Sequence, residues 1–449
     1  MAGFKGRVFL KQRRLGCIRR GRNCCWHYFW TVFVLASSHS PAPRSSATQP
    51  PQWVEHGIIW QIYPLGFTGA PVRPTEQERQ LLHRLGHIEQ WLDYAVDLGV
   101  NIIQFGPLFS SRTHGYDTED FYSIDPRLGS MEDFVSLVDA CHDRGLKVVL
   151  DGVFNHVGSG YPHVESLASG EVFEGHGDLV ELDHTQQEVK DLVTSVMRFW
   201  LEKGIDGWRL DAAYAVDPDF WRPIVESVRR DYPQAWWVGE VIHGDYPQYV
   251  ANSSLDSVTQ YEVWKAVWSS IKEKNFFELE WSLRRHNDFL ESFLPLTFVG
   301  NHDVTRIASQ VGERGALIAH SLLLLLGGVP SIYYGDEQLF RGVKEEREGG
   351  DDAVRPMFPA GPGELADSGW EMYHRMQALI AIRRQHPFLQ WAVAQATTVE
   401  NTRLQLHLYP RQGHLLGAAE DSWVDIIVSV EEDEPAVRIF SAAGELFSA

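Results

Sequence analysis

From Gly57 onward the chain alternates short apolar runs with stretches of helical periodicity. The runs are GIIWQIY (57–63), VNIIQF (100–105), LKVVLD (146–151), IDGWRLD (205–211), AWWVGE (235–240), DSVTQYE (256–262), LPLTFVG (294–300) and VPSIYYG (329–335). Each is rich in β-branched and aromatic residues and nearly continuous in hydrophobicity, as a parallel strand buried on both faces must be. Between them, HIEQWLDYAVDLG (87–99) and MEDFVSLVDACHDRG (131–145) repeat apolar positions near every 3.6 residues and stop at Gly, which predicts helices.

Eight strands alternating with helices predict an α/β fold, a (β/α)8 or TIM barrel. The rival doubly wound sheet would carry a Gly-rich phosphate turn after its first strand. Here that strand runs into Tyr63-Pro64-Leu65-Gly66-Phe67 instead. The connection from Val157 to about Gln187 has several Gly and no core pattern, and reads as a short excursion after strand three. Ser368 to Gln385 predicts a helix. From about residue 390, segments such as TRLQLHLYP and HLLGAA predict the strands of a small C-terminal β domain. The expected organisation is a leader over 1–54, a barrel over 55–388 with its excursion at about 157–187, and a β domain over 389–449.

Residues 1–54 contain no Asp or Glu and carry Lys5, Arg7, Lys11, Arg13, Arg14, Arg19, Arg20, Arg22 and Arg44. An apolar run from Cys24 to Ala36 and a Ser/Pro-rich segment follow. That order matches a secretory signal, but the basic region is long for one, so a disordered leader is the other reading. The run is too short for a membrane span. Of the four cysteines, Cys17, Cys24 and Cys25 lie in this segment and only Cys141 lies beyond it, so the rest of the chain has no internal disulfide. A reducing, cytoplasmic location fits; secretion is the alternative if residues 1–40 act as a signal.

A formal charge of -20 repels phosphate backbones and anionic membranes, so neither nucleic acid nor stable membrane insertion is expected. A neutral substrate is indifferent to that field. Aromatic residues make up 12% of the chain; most serve the core, and some can serve a sugar cleft, where a flat ring matches the apolar face of a pyranose.

A barrel does its chemistry at the C-terminal ends of its strands. Asp117 lies after strand two, Asp151 ends strand three, Arg209-Leu210-Asp211 ends strand four, Glu240 ends strand five, and Asn301-His302-Asp303 follows strand seven. Asn155 and His156 sit just past strand three. Any one of these acids could cap a helix, but independent caps do not explain so many acidic strand ends at once. Cleaving a glycosidic bond needs a carboxylic acid to protonate the leaving oxygen, and a carboxylate that attacks the anomeric carbon or activates water.

The segments DGVFNH (151–156), GWRLDAA (207–213), VGEVIHGD (238–245) and FVGNHDVTR (298–306) resemble, in order, the four signature regions of the α-amylase family, glycoside hydrolase family thirteen. HGYDTEDFYSIDPRLG (114–129), ELDHTQQEV (181–189) and GGVPSIYYGDE (327–337) add weaker matches. The likeness covers roughly residues 55–360 and is strongest to the neopullulanase and maltogenic-amylase branch. It departs from that branch in three ways: residues 1–54 cannot form the N-terminal β domain, the excursion is short, and Val354-Arg355-Pro356-Met357 replaces a motif resembling Arg-x-Pro-Met.

The resemblance implies Asp211 as nucleophile, Glu240 as acid/base and Asp303 as transition-state stabiliser. It implies that Arg209 holds Asp211 ionised, that His156 and His302 bind sugar hydroxyls, that Tyr63 stacks under the sugar and that Asp117 positions it. The implied activity is retaining hydrolysis of α-glucosidic bonds in malto-oligosaccharides or related α-glucans, with the two reacting carboxyls about 5–5.5 Å apart. Transglycosylation at the same site, or sugar binding without catalysis, are the rival readings. No cofactor or metal is implied, apart from the alternative of calcium at Asn155.

Overall fold

All eight apolar runs contain strands: β1 Ile59–Ile62, β2 Ile102–Phe105, β3 Lys147–Gly152, β4 Gly207–Leu210, β5 Trp236–Gly239, β6 Ser257–Val258, β7 Leu296–Phe298 and β8 Val329–Tyr333. The computed structural model describes residues 50–449. The strands lie in the order β6-β5-β4-β3-β2-β1-β8-β7, every adjacent pair parallel. A parallel bridge between Thr259 and Leu296 closes the ring, supported by the Gln260 N–H on the Leu296 carbonyl at 2.8 Å. DSVTQYE thus yields only a two-residue strand. The carboxylate of the residue just before it, Asp256, is taken by Arg229 and the Trp237 N–H.

Period-two alternation explains the continuous hydrophobicity. Trp60, Ile103, Val148, Trp208, Trp237 and Ile332 share one core with helix residues such as Leu137, Val196 and Leu322. Their neighbours Ile59, Ile102, Val149, Val238, Leu296 and Val329 form a separate cluster. Both faces of the strands are therefore apolar and buried. Val54 is fully buried in that second cluster and lies within a 3-10 turn, Gln52–His56, so it belongs to the barrel rather than to the leader. The rest of the leader reading, its signal alternative, and Cys17, Cys24 and Cys25 lie outside the described residues.

The helix Met131–Asp143 starts in a capping box of Ser130 and Asp133, and Gly145 follows it with φ +74°. The single helix expected over 87–99 is two, Leu85–Glu89 and Leu92–Leu98. The chain tightens at Trp91, whose N–H bonds the Ile88 carbonyl and whose ring is buried against Phe67, Tyr94 and Phe358. The late helix begins at Trp370.

The excursion is a three-stranded antiparallel sheet of His156–Gly158, Ala168–Val172 and Leu179–Leu182. Five strands make the C-terminal sheet, in sequence order and antiparallel: β9 Val393–Val399, β10 Arg403–Tyr409, β11 Val424–Ser429, β12 Val437–Ser441 and β13 Gly444–Ser448. HLLGAA is not among them; it turns, with Leu416 and Gly417 at φ +47° and +85°, outside the extended region. Among the described residues no helix is long and apolar enough to cross a membrane.

Candidate active site

The residues just past β4 and β5 converge on one guanidinium. Arg209 is 3% exposed, and its Nη1 donates to both Asp151 oxygens (2.8 and 2.9 Å) and to Asp211 Oδ1 (2.7 Å). Its Nη2 pairs with Glu240 Oε1 at 2.9 Å. One positive charge therefore faces three buried carboxyl groups and cannot balance them all. Burial pushes Asp151, Asp211 and Glu240 above the usual carboxylate range, while Arg209 pulls each of them back. The expectation that Arg209 sits beside Asp211 and holds it ionised is met in position and in direction, but burial opposes the cation and is the larger influence.

Local backbone serves the same centre. Ala212, next after Asp211, takes φ +45°, a left-handed conformation costly for a residue with a Cβ. Its N–H meets Glu240 Oε2 at 3.0 Å. Tyr261, at the start of the helix after β6, donates its hydroxyl to Glu240 Oε1 at 2.9 Å, and Asn301 Nδ2 backs that hydroxyl at 3.2 Å. Glu240 is thus held on both oxygens in a site where burial favours its protonated form, as a proton donor requires.

Past β7 the balance reverses. Burial acts to raise Asp303, but the His302 imidazole, Arg355 and Arg209 outweigh it and hold this carboxyl well below the usual range. His302 Nε2 lies 2.9 Å from Asp303 Oδ2, and Arg355 Nη2 is 2.8 Å from Oδ1. The Asp303 side chain remains 38% exposed, open to a ligand.

The two histidines are built in by neighbours. His302 stacks at 7° on both Tyr116 (5.2 Å) and Tyr63 (6.2 Å), and the Tyr116 hydroxyl bonds both His302 Nε2 and Asp151 Oδ2. His156 Nε2 meets the Tyr116 carbonyl at 3.1 Å, and its ring stacks on Phe173 of the excursion at 4.5 Å. Burial pushes His156 down to about 4, so it is neutral at pH 7. Tyr63 is only 1% exposed, with Arg355 4.7 Å above its ring. It supports His302 and Arg355 rather than offering an open face. Gly66 permits this, since a Cβ there would lie 2.3 Å from the Arg355 carbonyl.

Asp117 does not join the carboxylates. It accepts from Thr113 Oγ1 at 2.7 Å and lies 4.0 Å from His114. Asn155 shares a hydrogen bond with His156 Nδ1 at 3.2 Å. Among the described residues no group of three or more His, Cys, Asp or Glu side chains could hold a metal ion.

Sequence reasoning does not single out Tyr116, Tyr261 or Arg355 as site residues, although Tyr116 and Arg355 stand inside quoted motifs. Asp151 is visible as a strand end. Below the carboxylates the barrel is nearly solid: a cavity of about 20 Å³ lies among Gln61, Gln104, Thr259, Tyr261 and Ser331, so access is from the top.

The model of the α-amylase catalytic domain matches residues 61–172 and 172–360, and the chain belongs to the α-amylase family. It is 29% identical over 388 residues to the maltogenic α-amylase of Bacillus acidopullulyticus, covering 76% of this chain and 64% of that one. To neopullulanase 2 of Thermoactinomyces vulgaris it is 31% identical over 375 residues, covering 73% and 62%. The chain thus spans less than two thirds of either relative. The likeness to this branch, read from the motifs, is borne out. The solved cyclic α-maltosyl-(1→6)-maltose hydrolase of Arthrobacter globiformis shares the fold, with a TM-score of 0.72 over 89% of this chain and 99% of that one at 22% identity.

Proposed function

We propose that this protein is a retaining glycoside hydrolase acting on α-glucosidic bonds of malto-oligosaccharides or related α-glucans. The observation that carries this reading is the pair of opposed environments. Burial around Arg209 favours a proton on Glu240, the Arg209 guanidinium 2.7 Å from Asp211 Oδ1 supports the ionised form that attack requires, and Asp303 is kept charged by His302 and Arg355.

In the first step Asp211 attacks the anomeric carbon while Glu240 gives its proton to the glycosidic oxygen, so the leaving sugar departs as a neutral alcohol. Asp303 offers fixed negative charge to the oxocarbenium-like transition state. The product is a glycosyl ester on Asp211. In the second step Glu240, now ionised, takes a proton from water, whose oxygen displaces Asp211 and restores both groups. Neutral His156 and the His302 imidazole are the groups offered to sugar hydroxyls, and the names of the relatives support an α-glucan as substrate.

Proton NMR of maltotriose digests tests the reading. The sugar released from the glycosyl ester should appear first as the α-anomer; its first appearance as the β-anomer overturns the reading.

A further inference from the structure

The loops that carry Asp211 and Glu240 lie side by side at the rim of the site. The turn Ala213–Ala215 follows Asp211, and its Tyr214 N–H donates to the Glu240 carbonyl at 2.9 Å. Beyond Glu240, Ile242 is 38% exposed, and the His243 ring lies 6.3 Å from Tyr214. The reaction itself does not use any of these side chains.

A further carboxylate reaches this place from elsewhere in the chain. Glu174 belongs to the excursion after β3, not to a strand end. Its backbone takes φ +49° and ψ +26°, a left-handed conformation uncommon for a residue with a Cβ. Phe173, the preceding residue, anchors the segment by stacking on His156. The Tyr214 hydroxyl donates to Glu174 Oε1 at 2.7 Å. One oxygen of this solvent-exposed acid is therefore tied to the loop of the nucleophile, beside the Glu240 main chain.

We propose that Glu174 is a specificity-determining residue of the leaving-group side: its carboxylate, oriented by Tyr214, accepts hydrogen bonds from hydroxyls of the departing sugar, and of a sugar that enters as acceptor in place of water. This rests on the glycosidase reading above. A carboxylate suits the task because a pyranose presents neighbouring hydroxyl donors, and charge-assisted bonds are the stronger ones. Water has no such array of hydroxyls, so the same contact biases the glycosyl ester toward transfer over hydrolysis.

The test compares two substrates. Maltotriose has a leaving sugar; α-glucosyl fluoride loses only fluoride. Glu174→Ala should raise KM for maltotriose about tenfold, the worth of one charge-assisted hydrogen bond. It should also lower the ratio of transfer to hydrolysis when maltose is added, and leave hydrolysis of the fluoride within about twofold. Tyr214→Phe, which frees the carboxylate without removing it, should fall between. Equal losses on both substrates would show that Glu174 merely holds the fold, and no change on either would show that it touches no sugar; each overturns the proposal. If the unaltered protein cleaves neither substrate, the glycosidase reading itself fails.

Discussion

The two sides of the active centre use the same residue type to opposite ends. On the β4–β5 side three carboxyl groups are enclosed around a single Arg209, and burial raises all three. On the β7–β8 side one carboxylate, Asp303, is met by an imidazole and a guanidinium and falls well below the ordinary range. The ratio of cations to acids, more than depth alone, separates a group able to carry a proton from one that stays charged. A glycosidase needs both, a few ångströms apart.

Breaking the first side should have the largest effect. Asp211→Asn removes the attacking oxygen and should cost about 10⁴-fold or more in kcat with a native circular-dichroism spectrum. Activity within tenfold of the unaltered protein would rule out its role. Glu240→Gln should cost about 10²–10⁴-fold on natural glucans, because the departing alkoxide needs a proton. It should cost much less on an aryl glycoside, whose phenolate leaves unaided. The descending alkaline limb of the pH profile, which reports deprotonation of a raised Glu240, should vanish with it. Azide, which needs no base, should restore turnover of the aryl substrate in Glu240→Gln. Equal losses on both substrates and no azide effect would exclude Glu240 as the acid.

The second side should respond more gently. Arg355→Gln removes one of the cations holding Asp303 down while His302 remains. The expected result is a loss of about tenfold in kcat, because Asp303 is held less firmly in its charged form. An unchanged kcat would mean that Arg355 does not support Asp303.

Away from the site, Glu337 extends the comparison to a buried acid whose partners are all uncharged. It accepts from the Gly335 N–H, Tyr94 and Trp60, and burial pushes it up to about 7. Because its folded pKa lies above the unfolded one, its contribution is most favourable at low pH and is lost as pH rises through about 7. Glu337→Gln should therefore stabilise the protein more at pH 8 than at pH 5, by up to about 3 kcal/mol, read as a larger rise in melting temperature at pH 8. The same shift at both pH values would contradict a titrating Glu337.

The fold was legible because strands buried on both faces leave unbroken apolar runs, and eight of them in alternation with helices admit few architectures. Asp211, Glu240 and Asp303 were legible because they stand at the ends of those runs. What the sequence hides is contact across distance. Gln61 lies 3.4 Å from His302 across 241 residues, and Arg355 meets Asp303 across 52. Neither approach leaves a local pattern, so Tyr63 reads as a sugar platform when it in fact underlies Arg355. HLLGAA reads as a strand because its composition is apolar, whereas positive φ at Leu416 and Gly417 turns it. Glu174 sits in the excursion, the stretch with the least periodicity, and only its tie to Tyr214 gives it meaning.

The most direct test of the account is to trap its intermediate. Incubating the protein with 5-fluoro-α-glucosyl fluoride slows hydrolysis of the glycosyl ester, and peptide mass mapping then finds the labelled residue. One fluoroglucosyl group on Asp211, with none on Asp303 or Glu240, is the predicted result. A label on either of those residues, or turnover of the reagent by an Asp211→Asn variant at the unaltered rate, would contradict the account.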